Sequence, residues 1–409
     1  MREYGFNVNN IKQDFPALKQ KPYGKELVFL DSAASAQKPK VVIDAMSNVS
    51  YLNYANIHRG SYSLSQVATD NYEQARLTVS KFINAKKSDE IVFTKGATES
   101  INLVANSLGE YFFQAGDEII LSEMEHHANI VPWVMLSQKY NIIIKVIPIN
   151  DDGTLNIEAF SALLSSRTKL VAITHCSNVL GTINPIKKIA LMAKKLGALI
   201  LVDGAQSIVH DTIDVQELSC DFFVFSAHKL YGPTGVGVLY AKEKLLNNMT
   251  PYQGGGDMIK SVSFSKIEYN KIPYKFEAGT PNICGVLAFK LAIDYIQEIG
   301  MENIRNYENK LLKYATDKLL EIKGLKILGR APNKASVITF IIDGYHAEDL
   351  GVLMDLSGVA VRTGQHCCHP LIKRYNVTST VRVSFAMYNT YDDVDKLIVS
   401  IEKAMNMLG

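Results

Sequence analysis

The sequence predicts an α/β protein in which a large, mostly parallel sheet domain precedes a smaller α+β domain. Three observations carry this prediction. From about residue 90 to about 240, short apolar runs alternate with helix-like segments, which is the pattern of a parallel sheet covered by helices on both faces. Asp203 directly follows one of these runs, and Lys229 lies shortly after another. After about residue 285, long helical stretches replace the alternation.

Seven apolar runs are expected to form the strands of the large sheet. They are Glu90–Thr94, Glu118–Leu121, Ile142–Ile147, Leu170–Thr174, Leu199–Val202, Phe222–Phe225 and Val236–Tyr240. Helices are expected between them at Thr98–Ser107, Ile157–Leu164 and Ile186–Leu196. Sheets of this kind bind ligands at the carboxyl ends of their strands, where Asp203 and Lys229 fall.

The small domain has its own expected elements. They are helices at Val286–Ile299, Met301–Ile322 and Asp392–Leu408, strands at Ser336–Ile342 and Val381–Phe385, and a loop at Arg362–Pro370. The chain is therefore divided into an N-terminal segment that packs on the body (1–25), a large domain (26–285) and a small C-terminal domain (286–409).

Composition places the chain among ordinary globular proteins. Of its 409 residues, 47% are hydrophobic and 21% charged, and the formal net charge is +2, which gives no reason to expect a nucleic acid or an anionic membrane as partner. No apolar run approaches the roughly 18 residues of a transmembrane helix, and the start of the chain lacks the apolar core of a signal peptide. Five scattered cysteines make no disulfide framework, so we expect a cytoplasmic protein with reduced thiols.

Lys229 is the most informative residue. It follows the buried run Phe222–Phe225, and a lysine at the end of a core strand is costly unless its amine has a chemical task. One such task is a Schiff base to an aldehyde cofactor. Asp203 ends the preceding run, and enzymes of pyridoxal phosphate (PLP) need both a lysine for the aldehyde and an acid for the pyridine nitrogen. The pair therefore points to PLP.

The segment around Gly96 suits the phosphate of such a cofactor. Gly96 permits a tight turn between a strand and a helix, and the amides that open the helix favour an anion. Thr98 adds a hydroxyl, although helices also use threonine at their N-termini for their own stability. With Ser226 and His228 as further donors beside Lys229, we expect a three-sided phosphate cup.

Two histidines after the strand Glu118–Leu121 leave several interpretations open. His126 and His127 could be surface or capping residues, or they could be metal ligands. In a third interpretation, the flat ring of one of them stacks on the cofactor. A metal is disfavoured because no helix of the H-E-x-x-H type is present.

The loop Arg362–Pro370 is the other dense cluster, since His366, Cys367, Cys368 and His369 are consecutive. Neighbours in sequence diverge in direction and lack the spacing of a zinc site, so no metal is expected. A thiol activated by nearby positive charge is the more economical interpretation, and two inert buried cysteines are the alternative. Arg382, in a strand-like run, suits a substrate carboxylate or a structural ion pair.

These segments, with others along the chain, resemble a known family. The matching stretches are Asp31–Ser35, His58–Gly60, Met124–Trp133, Thr174–His175, Ser177–Gly181, Val202–Gln206, Ser226, His228–Gly235, Phe276–Asn282 and Arg362–Gly364. They are similar to the SufS-type (group II) cysteine desulfurases, class-V-aminotransferase-like PLP enzymes of iron–sulfur cluster assembly. The resemblance runs from about residue 10 to the C-terminus. It implies PLP-dependent transferase fold type I and a homodimer whose active sites lie at the subunit interface.

The resemblance also implies a role for each motif residue. Lys229 would attach PLP, Cys367 would be the nucleophile, and His126 would stack on the cofactor ring and take part in catalysis. Asp203 would pair with the pyridinium nitrogen and Gln206 with the phenolic oxygen, and the phosphate would be bound by Thr98, Ser226, His228 and Thr280 from the partner subunit. The substrate would be bound by Asn178, Arg382, Arg362 and His58. No metal is implied.

The implied activity converts L-cysteine to L-alanine and leaves the sulfur on Cys367 as a persulfide. Related enzymes also cleave selenocysteine. The sulfur passes to an acceptor protein of the SufE or SufU type, for which His346 is either a contact or simply a solvated loop residue.

The chain departs from the family pattern at three positions. Cys368 stands where a small inert residue is usual. Three roles are open to it: accepting sulfur from Cys367, forming a vicinal disulfide with it, or having no function. We expect that it has no function. Ala97 and Ala227 replace an expected threonine and glycine.

Two other functions compete with that of a desulfurase. One is an aminotransferase or kynureninase-like enzyme, which has no use for the thiol. The other is a non-catalytic assembly scaffold, which would be expected to lose the lysine or the thiol.

Overall fold

A computed structural model describes residues 6–409. Its strands are β1 (Val28–Phe29), β2 (Ile91–Thr94), β3 (Glu118–Ser122), β4 (Ile143–Ile147), β5 (Thr168–Thr174), β6 (Leu199–Asp203), β7 (Phe222–Ser226), β8 (Gly237–Ala241), β9 (Ile259–Val262), β10 (Ile267–Tyr269), β11 (Leu325–Leu328), β12 (Val337–Ile342), β13 (Val359–Ala360), β14 (Arg362–Gly364) and β15 (Thr380–Ser384). Its helices are α1 (Val8–Gln13), α2 (Lys40–Leu52), α3 (Ser63–Phe82), α4 (Ala97–Phe112), α5 (Val131–Tyr140), α6 (Ile157–Leu163), α7 (Ile186–Lys194), α8 (Ser207–His210), α9 (Glu243–Asn248), α10 (Ile283–Ile299), α11 (Met301–Leu320), α12 (Ala347–Asp355), α13 (His369–Arg374) and α14 (Tyr391–Leu408).

The seven strands predicted for the large domain form one sheet, in the order β2-β8-β7-β6-β5-β3-β4. The neighbours from β7 to β4 are parallel, and β8 runs antiparallel to both β2 and β7. The prediction of an α/β fold with a mostly parallel seven-stranded sheet is confirmed.

Strand β7 shows why these segments form the centre of the sheet. Phe223 and Phe225 belong to the core on one face, whereas Phe222 and Val224 belong to the core on the other. Successive side chains of a strand point to opposite faces, so a strand covered on both sides needs apolar residues at every position. The run 222–225 supplies them.

The small domain contains an antiparallel sheet of four strands in the order β11-β12-β15-β14. Three of its expected elements appear as β12, β15 and α14. The segment Arg362–Gly364, expected in a loop, instead forms the edge strand β14 because it pairs with β15. The nucleophile loop therefore starts from a sheet edge.

The beginning of the described chain contacts both domains. Phe15 is fully buried against the rings of Tyr231 and Tyr388, and Lys12 forms an ion pair with Asp393 of α14 at 2.8 Å.

Strand β1, which follows, pairs in parallel with β13 of the small domain. The boundaries at residues 25 and 285 stay predictions, and residues 1–5 of the N-terminal segment lie outside the described residues. Within 6–409, none of the helices has both the length and the apolar character to cross a membrane.

Candidate active site

A cavity of about 170 Å³ opens between the carboxyl ends of the large sheet and the small domain. It is lined by nearly all the candidate residues, namely Thr98, His126, Asn178, Asp203, Gln206, Ser226, His228, Lys229, Arg362, Cys367 and Arg382. Thr280 and His58 are the candidates that do not line it. One cavity thus joins the lysine of the large domain to the thiol of the small domain.

Lys229 and Asp203 reach the cavity from neighbouring strands. Asp203 ends β6 and is paired with Val224 of β7, while Lys229 lies in the helical turn after β7. Burial lowers the pKa of Lys229 to about 8, against the opposing effect of Asp203. Burial raises the pKa of the Asp203 carboxyl, although the Ala205 amide and Lys229 favour its ionised form. A buried acid of this kind gains from a cationic partner such as a protonated ring nitrogen.

His126 presents a neutral ring to the cavity. Its Nδ1 accepts a hydrogen bond from the Ala128 amide at 3.0 Å, so the ring proton lies on Nε2. Burial, together with the charge of Lys229, lowers the pKa of His126 to about 3. The residue is therefore both a capping histidine and a flat ring at the cavity wall, whereas His127 does not line the cavity.

The start of α4 forms one side of the cavity. Ala97 and Thr98 line it, and the Ala97 amide donates to Ser226 Oγ at 2.8 Å, which ties the helix to the end of β7. The backbones are closely packed here, since a Cβ on Gly237 would lie 2.3 Å from the Cα of Gly96. The first turn of a helix with two hydroxyls beside it offers the donors that a phosphate needs.

His228 is held from behind by two residues to which the sequence analysis gave no role. Its Nδ1 lies 3.1 Å from Ser35 Oγ, which accepts a hydrogen bond from Lys38 Nζ at 3.2 Å. Burial lowers the pKa of His228 to about 4 and that of Lys38 to about 8. With Nδ1 engaged by Ser35, the ring offers Nε2 to a ligand.

Two arginines line the side of the cavity formed by the small domain. Arg362 on β14 and Arg382 on β15 are direct cross-strand neighbours. Arg382 is 1% exposed; its Nη2 donates to Asp31 at 2.7 Å and its Nη1 to the Asn178 carbonyl at 3.0 Å. Its Nε is buried and has no hydrogen-bond partner among the described residues. The ion pair expected of Arg382 is therefore present, while its role in binding a substrate carboxylate stays a prediction.

The nucleophile candidate lies in a strained turn. His366 and Cys367 have left-handed backbone, with φ of 53° and 56°, which is uncommon for residues other than glycine. Asn178 Nδ2 donates to the His366 carbonyl at 2.8 Å and supports the turn. Arg362 Nη2 lies 3.9 Å from Cys367 Sγ. The described part of the chain holds no group of three or more side chains suited to a metal ion.

Thr280 and His58 lie elsewhere. His58 Nε2 pairs with Glu73 at 3.0 Å, and its ring packs edge-on against Tyr72 and Tyr274. Thr280 lines a second cavity of about 170 Å³ beyond the start of α4. Neither side chain reaches the first cavity within one chain, so the phosphate role of Thr280 and the substrate role of His58 stay predictions.

Sequence reasoning gave no role to Glu125, which is fully buried directly before His126. Its carboxylate accepts hydrogen bonds from Asn129 Nδ2 at 2.7 Å and from the Thr174 amide at 3.0 Å. Burial raises the pKa of Glu125 to about 8. Its only signal in the sequence is the position beside the histidine pair, which says nothing about depth.

The residues around the cavity fit PLP. Its phosphate suits the start of α4 with Thr98, Ser226 and His228, its ring nitrogen suits Asp203, its ring face suits His126, and its aldehyde suits Lys229. The buried acid and the close glycine contact beneath the turn at Gly96 are the structural features that support this fit.

Comparison with known proteins gives one consistent result. The aminotransferase class-V family model matches residues 28–397. The chain is 49% identical over 405 residues to a cysteine desulfurase of Salmonella agona (strain SL483), an alignment that covers 99% of this chain and 100% of that protein.

Two solved structures are similar over the same extent, 99% of this chain and 100% of theirs. One is the cysteine desulfurase CsdA (S-sulfonic acid) from Escherichia coli, with a TM-score of 0.92 and 38% identity. The other is the apo structure of the cysteine desulfurase from Thermococcus onnurineus NA1, with a TM-score of 0.93 and 36% identity. The similarity therefore includes the cavity and both sides of it.

Proposed function

The chain belongs to the class-V aminotransferase family and, within it, to the cysteine desulfurases, and from this membership we propose that it converts L-cysteine to L-alanine. The sulfur is left on Cys367 as a persulfide and supplies iron–sulfur cluster assembly. The observation that carries the proposal is that Lys229 and Cys367 line one cavity. An aminotransferase or kynureninase-like reaction needs the lysine and leaves the thiol without a task.

The family depends on PLP, which Lys229 would hold through Nζ. The chemistry that this group supplies when bound is uptake of the electron pair left on the substrate α-carbon after loss of its proton. Asp203 would hold the ring nitrogen protonated, and His126 would lie against the ring.

Lys229 is suited to moving the α-proton. Because burial brings its pKa to about 8, roughly a tenth of the amine is unprotonated at pH 7, far more than for an ordinary lysine. Nζ can therefore accept a proton and return it. The ion pair of Asp31 with Arg382 leaves Nε to bind the substrate carboxylate, and this contact orients the α-carbon.

Cys367 performs the sulfur transfer. Its thiolate, which lies beside Arg362, attacks the substrate sulfur, and the bond between that sulfur and the β-carbon breaks. The electron pair of the broken bond stays with the β-carbon, which takes up a proton and becomes the methyl group of alanine. The enzyme keeps the sulfur as a persulfide, so that no external oxidant or reductant is consumed.

The test is mass spectrometry of the purified protein after brief exposure to L-cysteine, with alanine measured in parallel. We expect one added sulfur on Cys367 and formation of alanine. Cys367→Ser removes both, whereas Cys220→Ser, a buried thiol outside the cavity, is the matched control. Lysine-bound PLP without a sulfur adduct and without alanine would show a different PLP reaction.

We further propose that the chain is of the SufS type and also releases selenium from selenocysteine. Selenium leaves without help from a thiol, so Cys367→Ser is expected to keep selenocysteine cleavage while losing cysteine cleavage. Equal loss of both activities would contradict a thiol role limited to sulfur.

We propose a homodimer. The hairpin β9–β10 is a two-stranded sheet of its own, which is marginal without further cover. Its tip carries Phe264 at 115% exposure, and α2 ends with Tyr51 at 83%. A second copy would cover these side chains and bring Thr280 to the partner's cavity. Light scattering tests it, and Phe264→Asp is expected to weaken the dimer.

We propose that the persulfide sulfur passes to an acceptor protein of the SufE or SufU type in the cytoplasm. The free state of all five cysteines, Cys367 included, supports a reducing compartment. Addition of each acceptor to the enzyme with cysteine is expected to raise the rate of alanine formation, and the acceptor that does so identifies the type.

A further inference from the structure

Cys368, the residue that departs from the family pattern, has a defined partner. Its Sγ lies 3.1 Å from the backbone carbonyl oxygen of Glu125, with the thiol as donor. Cys368 is in the small domain, and Glu125 precedes the ring-stacking candidate His126 in the large domain. The contact therefore crosses from one wall of the cavity to the other.

Two more hydrogen bonds accompany it. The His127 amide donates to the Cys367 carbonyl at 2.8 Å, and the His369 amide donates to His127 Nε2 at 3.1 Å. Three hydrogen bonds thus join residues 125–127 to residues 367–369. The bond from Cys368 is the one whose donor is a side chain, whereas the donors of the other two are backbone amides. We name this set of contacts the 125–368 joint.

The large-domain side of the joint is fixed to the sheet. Glu125 accepts hydrogen bonds from Ser122, the last residue of β3, and from the amide of Thr174, the last residue of the neighbouring strand β5. Asn129 donates to its other carboxylate oxygen. The carbonyl that receives Cys368 consequently stands on a rigid base.

The Cys368 thiol is protonated, as a hydrogen-bond donor must be. It is fully buried, and burial raises the pKa of the thiol, with Glu125 adding to the effect, so the proton remains on sulfur as a donor. A buried, protonated thiol that already donates a hydrogen bond is a poor nucleophile and a poor sulfur acceptor.

We propose that Cys368 is a positioning residue that, through its hydrogen bond to the Glu125 carbonyl, sets the position of Cys367 relative to His126 and Arg362. This proposal rests on the proposed function, since Cys367 is the nucleophile only of a desulfurase. It replaces the expectation that Cys368 does nothing, and it assigns no sulfur to Cys368.

The experiment measures Cys367 in two independent ways on the full-length holoenzyme. The first is the rate of alkylation by iodoacetamide as a function of pH, with no cysteine present. The second is kcat and KM for alanine formation. Cys368→Ala removes the donor, and Cys368→Ser keeps one. Displacement by about 1 Å can cost as much as about 100-fold in rate, but the hydrogen bonds of His127 and His369 remain in Cys368→Ala, so we expect this variant to lower kcat only about 3-fold with little change in KM.

Alkylation of Cys367 in Cys368→Ala is expected to follow a different pH profile, because Cys367 moves relative to Arg362. Cys368→Ser is expected to restore the pH profile and most of kcat. Cys220→Ala is the control, since that thiol is equally buried and donates to the Val215 carbonyl at 3.6 Å.

Two results would overturn the positioning role: a pH profile in Cys368→Ala equal to that of the parent protein, or a persulfide mapped to Cys368. If the parent protein makes no alanine, the proposed function fails instead. The alkylation comparison then still decides whether the 125–368 joint positions Cys367.

Discussion

Arg362 and Arg382 face each other across two antiparallel strands, with like charges side by side. Such a pair is unfavourable unless anions compensate it. Asp31 neutralises part of the charge on Arg382 at 2.7 Å, and Cys367 Sγ lies 3.9 Å from Arg362. The arrangement therefore provides separate places for a carboxylate and a thiolate, which are the two anionic groups of the proposed reaction.

The first prediction concerns Arg382→Lys. Lysine keeps the charge but loses the fork that contacts Asp31 and the substrate carboxylate together. We expect KM for L-cysteine to rise about 10-fold or more, since a hydrogen bond to a charged group contributes roughly 1.5–3 kcal/mol, and kcat to change less. Initial rates of alanine formation against cysteine concentration measure both. A change confined to kcat would place the substrate carboxylate elsewhere.

The second prediction concerns uptake of PLP by the apoprotein. Only the unprotonated Lys229 amine can attack the aldehyde, and its pKa is lowered to about 8. The rate of uptake, followed by absorbance, is therefore expected to rise with pH from 6 and to level off above about 8. Lys229→Arg is expected to abolish covalent attachment. A rate independent of pH over this range would contradict a protonated resting amine.

The third prediction concerns acid stability. Burial lowers the pKa of His366 in the folded protein to about 3, whereas it is 6.5 in the unfolded chain. Below 6.5 the unfolded state binds a proton that the folded state does not, so stability is complete above about pH 6.5 and decreases as pH falls toward 3.

Chemical unfolding at pH 7 and pH 5 measures this effect. Between these values, His366→Asn is expected to lose about 2 kcal/mol less unfolding free energy than the parent protein. The variant should still lose stability through His126, His175 and His228, whose pKa values burial lowers to about 3, 4 and 4. An equal loss in variant and parent would show that His366 accepts a proton in the folded state.

The fourth prediction concerns Gly237→Ala. The added methyl group would meet the Gly96 backbone at 2.3 Å and push the start of α4 away from β8. Overpacking of this kind costs about 1–3 kcal/mol, so we expect a lower thermal midpoint and faster loss of PLP on dialysis. Gly254→Ala, where nothing lies within 4 Å, is the matched control. Normal retention of PLP by Gly237→Ala would show that the contact between Gly237 and Gly96 does not support the phosphate site.

The large sheet could be predicted because most of its strands contain a run of apolar residues, as in 222–225, and such runs are conspicuous in a polar sequence. Strand β14 could not, because Arg362–Gly364 is short and half-buried at a sheet edge. The pairing of β1 with β13 was equally hidden, since it joins residues 28 and 359 without a local pattern.

The candidate site divides in the same way. Lys229 and Asp203 follow strands whose neighbourhood fixes their position, so their meeting could be anticipated. The contacts of Asp31, Ser35 and Lys38 could not, because their hydrogen bonds to Arg382 and His228 join residues that are far apart in the sequence. His58, carried over from a motif, lies against Glu73, a contact that motif matching does not reveal.

Strand β1 attaches the start of the large domain to the small domain by pairing with β13, and the junction of α10 with α11 connects the two domains a second time. The two domains are consequently tethered at two points rather than one. Any relative displacement of the Cys367 and Lys229 walls has to be accommodated at both connections, as well as at the 125–368 joint.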